Sequence, residues 1–489
     1  MKRCVYLPII ISLIIQTNIF AVPPKTDIQL DIFDKSIYDW SRVMSEAFHL
    51  VKTKYYVKDV NPEDAMISAI NSFVHLDPHS TFLDPKTYKQ ILQSTSGEFF
   101  GIGVAIAQKM PDDEFLVFID TIPGGPAEAK GIKAGDKLID VDGSAIRGLT
   151  TDEVSAKLKG PRHTSVTIKI MREHYPEPLV ITINRDVVKE QNSFCYLFKE
   201  PNICYLHLNM FTQNAVSQLS QLLKKSQNHN YNGLILDLRN NSGGLLNSAV
   251  DIAELFLDSK SLVATTKDRN NTVIEHFRTQ KNPTTNASLP IFILMNNYTA
   301  SAAEILAGCL KVHSDKVAQQ SGGKKQNKLL VFLVGTRTFG KGSVQELIPI
   351  SNDCAVKLTT ALYFLPNDET VQGIGIEPDI KIEQKLPPTE QMQWVNSFFG
   401  KESALKNSIK VHDSKDDKKH KKEKKTETKN HKERRKEVLA KDSQIRDTIT
   451  CINILHTNQD KWKNRNDAIK LINSIFVNDG ELTLEEIEG

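Results

Sequence analysis

The sequence predicts a multidomain α+β protein: a helical arm, a small β-rich module, an α/β core and a helical, partly low-complexity C-terminal extension. Three observations carry this. The chain has 489 residues, more than one hydrophobic core organises. Its apolar pattern changes along the chain, from helical spacing (28–95), through short alternating runs (96–173), to strand–helix alternation (186–386). Apolar and charged fractions of 40% and 25% are those of folded domains.

At the N-terminus, Lys2 and Arg3 precede an apolar run, Val5 to Ile15, and a short polar end up to Ala21. Basic, apolar, then small is the layout of an export leader. Residues 1–21 therefore read as a signal peptide or an uncleaved anchor, because Ile19 is a poor partner for cleavage after Ala21 and Ile19 to Val22 extend the run. The expected location is a periplasm-like space, with the protein either soluble or tethered to the inner membrane. Next, Ile32, Phe33, Ile37, Trp40, Val43, Met44, Ala47 and Leu50 recur at helical spacing. Asn61-Pro62-Glu63-Asp64 starts another helix, with proline at its first turn.

Glu98-Phe99-Phe100-Gly101-Ile102-Gly103-Val104 opens a different module, with strand-like runs at 115–119, 137–141 and 166–170. A glycine-rich loop can aim successive backbone N–H groups at a carboxylate, and a neighbouring strand edge can accept an extended peptide. Gly101, Ile102, Gly103 and Val104 are the candidate loop, with Ile102 and Val104 lining a pocket for an apolar terminal side chain. The alternative is a structural module that binds nothing.

In the core, Gly233 to Leu238 is apolar except for Asp237, as in a strand covered on both faces. Arg239-Asn240-Asn241-Ser242-Gly243-Gly244 then turns into a helix over 245–256. Ile291 to Met295 is a second such strand, followed by the turn Asn296 to Ala300 and a helix from Ser301 to Gly308. Ser301 thus stands where unpaired N–H groups and the helix dipole can hold an oxyanion. A third strand, 329–334, leads to Gly340-Lys341-Gly342. A lysine between glycines after an apolar strand lies in a dry place and gives up its proton readily. It can then take one from a serine hydroxyl. The plainer reading makes Ser301 a helix cap and Lys341 a solvated lysine.

Asn296-x-x-Thr-Ala-Ser-Ala-x-Glu-Ile305, with Thr338-Phe-Gly-Lys-Gly-x-Val-Gln345 downstream, resembles the carboxy-terminal processing peptidases, the tail-specific Ser/Lys-dyad proteases of family S41. Asp237-Leu-Arg-Asn-Asn-x-Gly-Gly244, Leu76-Asp-Pro-His-Ser80 and Gln372-Gly-Ile-Gly-Ile-Glu-Pro-Asp379 match further motifs of that family. Ala127 to Gly143 resembles PDZ domains, over roughly 96–173. The resemblance implies a crotonase-like ββα serine peptidase core at 186–386. It makes Ser301 the nucleophile, Lys341 the general base and Gln345 the residue that orients the lysine. Gly243 or Gly244 would pair with the N–H of Ala302 as the oxyanion hole. It implies a regulatory contact from Arg185 when the PDZ domain docks, against the alternative of a surface arginine. It implies no cofactor and no metal. Partners would be protein substrates with accessible, apolar C-terminal tails. His79 reads as part of a packing loop rather than as a catalytic histidine.

Two departures stand out. Ser301 and Lys341 are 40 positions apart, the excess being 318–328, which reads as an exposed loop. An Asp that family members often carry after the nucleophile helix is Val312 here, so any third-member role is lost or passes to Asp315. Two other functions compete. A trypsin-like protease would use Ser242 but would need a His and Asp pair upstream. A PDZ adaptor would bind tails without turnover.

The six cysteines, Cys4, Cys195, Cys204, Cys309, Cys354 and Cys451, show no metal-ligand spacing. A Cys195–Cys204 bridge stays open. Residues 411–437 are low-complexity; Lys415 to Lys436 carry twelve Lys/Arg against five Asp/Glu, so with a net +3 overall the rest of the chain is net −4. That argues against a nucleic-acid surface on the fold. The segment reads as a solvated tail or a weak membrane attachment. Within 438–489, Lys441 to Ile445 resembles a family segment that returns to the core. Trp462, Ile469, Ile472 and Phe476 form a terminal helix that could serve self-association into a homo-oligomer.

Overall fold

The computed structural model describes residues 35–56, 61–96, 98–107, 115–122, 124–189, 192–199, 202–284, 289–320, 329–384, 436, 438–476 and 484–486. The expected leader, Ile32 and Phe33, and the charged stretch up to residue 435 lie outside them. In chain order the elements are α1 (Lys35–Lys54), α2 (Pro62–Val74), β1 (Thr81–Leu83), α3 (Pro85–Ser96), β2 (Glu98–Gly101), β3 (Val104–Ala107), β4 (Leu116–Thr121), α4 (Pro126–Ala129), β5 (Lys137–Val141), β6 (Ser144–Ala145), α5 (Thr151–Leu158), β7 (Ser165–Met171), β8 (Leu179–Asn184), β9 (Asp186–Lys189), β10 (Ser193–Phe198), β11 (Ile203–Leu208), α6 (Ala215–Ser226), β12 (Leu234–Asp237), α7 (Leu246–Ala253), β13 (Leu262–Lys267), β14 (Val273–Arg278), β15 (Pro290–Met295), α8 (Ala302–Gln320), β16 (Leu330–Gly335), β17 (Ser343–Pro349), β18 (Ala355–Phe364), β19 (Ile380–Lys381), α9 (Ser443–Thr457), α10 (Arg465–Ile475) and β20 (Leu484–Glu486). Contacts divide the chain after Phe73.

In the first unit, α2 starts as expected. The Asn61 side chain accepts from the Glu63 N–H (3.0 Å), and Glu63 and Asp64 favour the positive end of the helix. The apolar stripe of α1 stays exposed, Trp40 at 69%.

In the second unit, β3, β4, β5, β7 and β8 pair in that order, with β6 on β5. Alternating β7 residues Val166, Ile168 and Ile170 are fully buried against Phe118, Leu138 and Val154. The sheet includes β8, so the module runs past 173 to Asn184. A capping box between Thr150 and Glu153 starts α5. β3 is an edge strand paired with β4 alone among the described residues. β2 and β9, which flank the module, pair with each other, Gly101 opposite Asp186.

The core is built on a sheet ordered β19-β16-β15-β12-β11-β10-β20. From β19 to β11 the neighbours run parallel; β10 is antiparallel to both β11 and β20. Alternate residues go to opposite faces, and both faces are covered, which is why these strands read as continuously apolar. Leu206, Leu236, Ile293 and Leu333 pack with Leu219, Ala249 and Leu306 of α6, α7 and α8. Tyr205, Ile235, Phe292 and Phe332 pack with Ile445, Ile449 and Ile472 of α9 and α10. The C-terminal segment thus returns to the core. Trp462, Ile469, Ile472 and Phe476 pack into this second cluster, so the apolar face that suggested self-association covers the protein's own sheet.

A second sheet pairs β1-β18-β13-β14, with β17 on β18. Residues 81–83, inside the stretch expected to be helical, are therefore a strand, zipped to 355–357. Cys195 and Cys204, on paired strands, are reduced thiols whose sulfurs lie 3.6 Å apart in hydrogen-bond contact, so the bridge is not formed. Helix α8 continues to Gln320, three residues into the expected loop, and 321–328 lie outside the described residues.

Candidate active site

Three adjacent parallel strands, β12, β15 and β16, end level with one another: Asp237 lies opposite Leu294, and Leu294 opposite Val334. The loops that follow them gather at the carboxyl ends of the strands, where open α/β sheets place their sites. They are tied together by hydrogen bonds. The Thr299 hydroxyl donates to Leu238 O (2.8 Å), Ala300 N–H to Asn241 O (3.0 Å) and Phe339 N–H to Thr299 O (3.0 Å).

Ser301 sits on the turn into α8 with φ +56°, a left-handed backbone that costs a non-glycine residue about 1–3 kcal/mol. Glu304 holds it there. This carboxylate is fully buried, and its Oε2 accepts from the N–H of Ser301 (2.8 Å) and of Lys341 (2.9 Å). Its Oε1 accepts from the Thr338 hydroxyl (2.5 Å) and the Gly340 N–H (2.7 Å). One carboxylate therefore joins the serine turn to the lysine loop. Glu304 lies within the serine motif, yet no role for it was expected from the sequence. The signal was there: Ser301-x-x-Glu304 at a helix start has the spacing of a capping box.

Lys341 is half-buried. Burial, and then the nearby Lys357 charge, push its proton affinity below the usual lysine value, against the opposing charges of Asp77 and Glu304. Gln345, on β17, donates from Nε2 to Ser343 Oγ (2.9 Å) and Thr359 Oγ1 (3.1 Å). The loop 75–80 also reaches this site. Burial and the charge of Lys341 hold His79 below its ordinary value, with Asp77 opposing and Lys357 adding. The loop thus docks on β18 beside the lysine, a closer approach than its expected packing role suggested.

The turn 240–244 lies against Ser301. A Cβ on Gly243, whose φ is +101°, would stand 2.8 Å from Ser301 Cβ, 2.8 Å from Ala300 O and 3.0 Å from Ala302 N. Gly244 (φ +137°) packs on Phe211, whose oxygen a Cβ would meet at 2.3 Å. The Gly243 N–H is already given to Asn241 Oδ1 (2.9 Å). Among the described residues the N–H groups of Gly244 and Ala302 meet no acceptor, so of the two glycines it is Gly244 that keeps a donor to offer.

Beneath this turn is a buried ion cluster that the sequence reading did not foresee. Arg239, fully buried, donates from Nε and Nη2 to Asp237, and its Nη1 meets Asp442 Oδ2 and Gln444 Oε1, both at 2.9 Å. Burial alone would raise the Asp237 carboxyl; the Arg239 charge and hydrogen bonds, with the His207 imidazole 3.9 Å away, bring it far below its usual range.

The remaining candidates lie elsewhere. Gly101 ends β2; Gly103 has φ +75°, and its oxygen accepts from Ile122 N–H (3.0 Å). Ile102 is 1% exposed within the module core, so it does not line an open pocket; Val104 is half-buried at the start of the edge strand. Arg185 is neither on the surface nor beside Ser301. Its guanidinium binds Lys157 O (2.8 Å), Leu158 O (3.1 Å), Thr164 Oγ1 (3.1 Å) and Ser165 O (2.8 Å), closing the C-terminus of α5. Val312 is buried. Asp315, about 20 Å along α8 from Ser301 at 1.5 Å per residue, binds Arg465 (2.8 Å); it cannot serve as a third catalytic member. Ser242 is exposed and makes no hydrogen bond among the described residues. No cluster among the described residues could hold a metal, and no described helix is long and apolar enough to cross a membrane.

A PDZ-type module followed by a parallel-sheet core, with a serine on a strained strand–helix turn and a lysine on the next loop, defines a PDZ-bearing serine peptidase. Residues 202–382 match peptidase family S41, and residues 89–171 match the PDZ domain. A carboxy-terminal-processing protease of Bartonella bacilliformis is 34% identical over 384 residues, 77% of this chain and 82% of that protein. A carboxyl-terminal-processing protease of Picosynechococcus sp. is 31% identical over 340 residues, 69% and 77% of the two chains. The solved photosystem II D1 C-terminal processing protease is 26% identical over 73% of this chain and 91% of its own, with a TM-score of 0.40. The chain belongs to the S41 peptidases, with the carboxy-terminal processing proteases. The trypsin-like reading on Ser242 is thereby set aside.

Proposed function

We propose that the protein is an exported serine endopeptidase that captures the C-terminal tails of proteins at its PDZ domain and cleaves them with a Ser301/Lys341 dyad. The observation that carries this is the Glu304 carboxylate, which holds the backbone of both residues on one oxygen. A half-buried lysine with a weakened hold on its proton is neutral more often than a solvated one. Neutral Lys341 takes the Ser301 proton as Oγ attacks a substrate carbonyl. The Gly244 and Ala302 N–H groups receive the oxyanion. Lys341 then returns the proton to the leaving amine, and water releases the acyl group. Gln345 orients the lysine.

An apolar tail would lie along the edge of β3 beside α5, its carboxylate at the 101–104 turn. Arg185 would keep α5 in place as the far wall of that groove, a positioning role instead of a direct contact with the serine. Residues 1–21 would direct the protein to a periplasm-like space and leave it soluble or anchored there.

The test is degradation of an unfolded protein with an apolar C-terminus, compared with the same protein ending in acidic residues. Wild type and Ser242→Ala should degrade the first faster; Ser301→Ala and Lys341→Ala should degrade neither. Turnover by Ser301→Ala would end the proposal, and tail binding without turnover by the wild type would restore the adaptor reading.

A further inference from the structure

We propose that Tyr363 is a positioning residue of this site: its hydroxyl fixes and polarises the Ser301–Ala302 peptide group, whose N–H is offered to the oxyanion. The inference rests on the reading of Ser301 as the nucleophile and of the Ala302 N–H as an oxyanion donor. Tyr363 lies on β18 and is 1% exposed, its ring in the same apolar cluster as Leu306, Val371 and Ile376. A hydroxyl buried among apolar side chains destabilises a fold unless it is bonded, and phenylalanine would fill the space without that cost. Here the hydroxyl has a partner: it donates to Ser301 O at 3.3 Å. Burial pushes its proton affinity well above the ordinary tyrosine value, with the Glu304 charge adding to the effect, so the hydroxyl keeps its proton and remains a donor.

The choice of acceptor gives this bond a function. Ser301 O already receives the Ile305 N–H (3.0 Å) at the start of α8, so it needs no second donor to be satisfied. Yet it belongs to the one peptide group that joins the nucleophile to Ala302. That group is planar and trans, with its oxygen and its N–H on opposite edges. Tyr363 holds one edge, and the other edge carries the N–H offered to the oxyanion. Two effects follow. The tilt of the plane is set by ψ of Ser301 and φ of Ala302, beside a strained φ of +56° at Ser301. A bond to the oxygen from a neighbouring strand resists any rotation that turns the N–H away. Hydrogen bonds in a row also strengthen one another where the dielectric is low, so a donor on the carbonyl makes the N–H a better donor in turn.

Tyr363 bonds the other half of the site as well. Its backbone N–H donates to Gly342 O (2.9 Å), beside the point where Ser343 pairs with Leu362. One residue of β18 therefore meets the peptide after the serine with its side chain and the end of the lysine loop with its backbone. Phenylalanine at this position keeps the backbone bond and the ring and loses only the hydroxyl, so the substitution isolates the bond to Ser301 O.

The experiment compares wild type and Tyr363→Phe by kcat and KM on an unfolded protein with an apolar tail, by the affinity of a peptide boronic acid, and by melting temperature. In the boronic acid adduct Ser301 Oγ bonds the boron, its proton passes to Lys341, and a boron hydroxyl occupies the oxyanion position. Tyr363→Phe should lower kcat about three- to tenfold, with KM held within about twofold. The boronic acid should lose affinity by the same factor, because it draws on the same donors as the transition state. A labelled tail peptide should bind the PDZ domain as it does in the wild type. A residue that only filled space would move the melting temperature and neither kcat nor the boronic acid. The proposal is overturned if Tyr363→Phe keeps the wild-type kcat, or if kcat falls while the boronic acid binds as before. Should Tyr363→Phe fail to fold, a ring-fluorinated tyrosine at the same position, a stronger donor of nearly the same shape, decides alone: kcat and boronic acid affinity should rise together, and unchanged values overturn the proposal. If Ser301→Ala itself turns over substrate, the reading of the nucleophile has failed and takes this inference with it.

Discussion

Glu304→Gln exchanges a four-bond carboxylate for an amide of nearly the same shape. In the wild type Oε1 holds Thr338 Oγ1 and Gly340 N–H, and Oε2 holds Ser301 N–H and Lys341 N–H. An amide keeps one acceptor and turns the other into two donors. If the NH2 replaces Oε2, it faces two N–H groups that cannot turn away. If it replaces Oε1, the Thr338 hydroxyl can turn but Gly340 N–H is stranded, and Thr338 Oγ1 already accepts from Ile376 N–H (2.7 Å). Each buried donor left without a partner costs about 1–3 kcal/mol, so the change costs about 2–6 kcal/mol. That is a large part of a typical stability of about 5–15 kcal/mol. A core of this size loses about 2–4 °C per kcal/mol. The measurement is thermal unfolding together with kcat on the unfolded substrate. The melting temperature should fall by several degrees and kcat by about a hundredfold, because the Ser301 turn and the Lys341 loop are no longer held by one atom. A variant that melts with the wild type and turns over at its rate would falsify the view that Glu304 unites the site.

Three further outcomes follow from the same geometry. Lys341 titrates below the lysine value of 10.5, so kcat/KM should rise with pH along an acid limb that lies below that value. Because the unfolded chain binds this proton more strongly, the native state loses stability as pH falls below 10.5; Lys341→Met should melt higher than wild type at pH 7, with the gap narrowing as pH rises, and an unchanged gap would refute it. Gly243→Ala combines an unfavourable φ of +101° with a Cβ 2.8 Å from Ser301 Cβ, and should abolish turnover while tail binding to the PDZ domain, followed by fluorescence polarisation of a labelled peptide, is kept. Asp442→Ala leaves the Arg239 guanidinium short of a buried partner, a loss of about 3–5 kcal/mol, and should lower both the chemical unfolding midpoint and kcat; loss of neither would show that the cluster does not support the 240–244 turn.

Much of the core was legible because its signals are local. Strands covered on both faces are apolar along their whole length, so 234–237, 290–295 and 330–335 were visible as strands, and the serine and lysine motifs follow them directly. What stayed hidden depends on partners far apart in sequence. Glu304 meets Gly340, Tyr363 meets Ser301, and Arg239 meets Asp442, and no spacing rule announces such pairs. Other errors came from burial that a motif does not report. Ile102 looked like a pocket wall and is core. Arg185 looked like a switch or a surface residue and is a helix cap. Trp462 and its neighbours looked like an association face and cover a sheet.

The anchoring of Arg239 by Asp442 and Gln444 has a consequence for the order of synthesis. Gln444 leaves the ribosome 205 residues after the arginine it must meet. Contacts this distant form late and slowly. Until they do, the turn carrying Gly243 and Gly244 lacks that support. The support beneath the glycine turn is therefore complete only once the segment carrying Asp442 and Gln444 has joined the core.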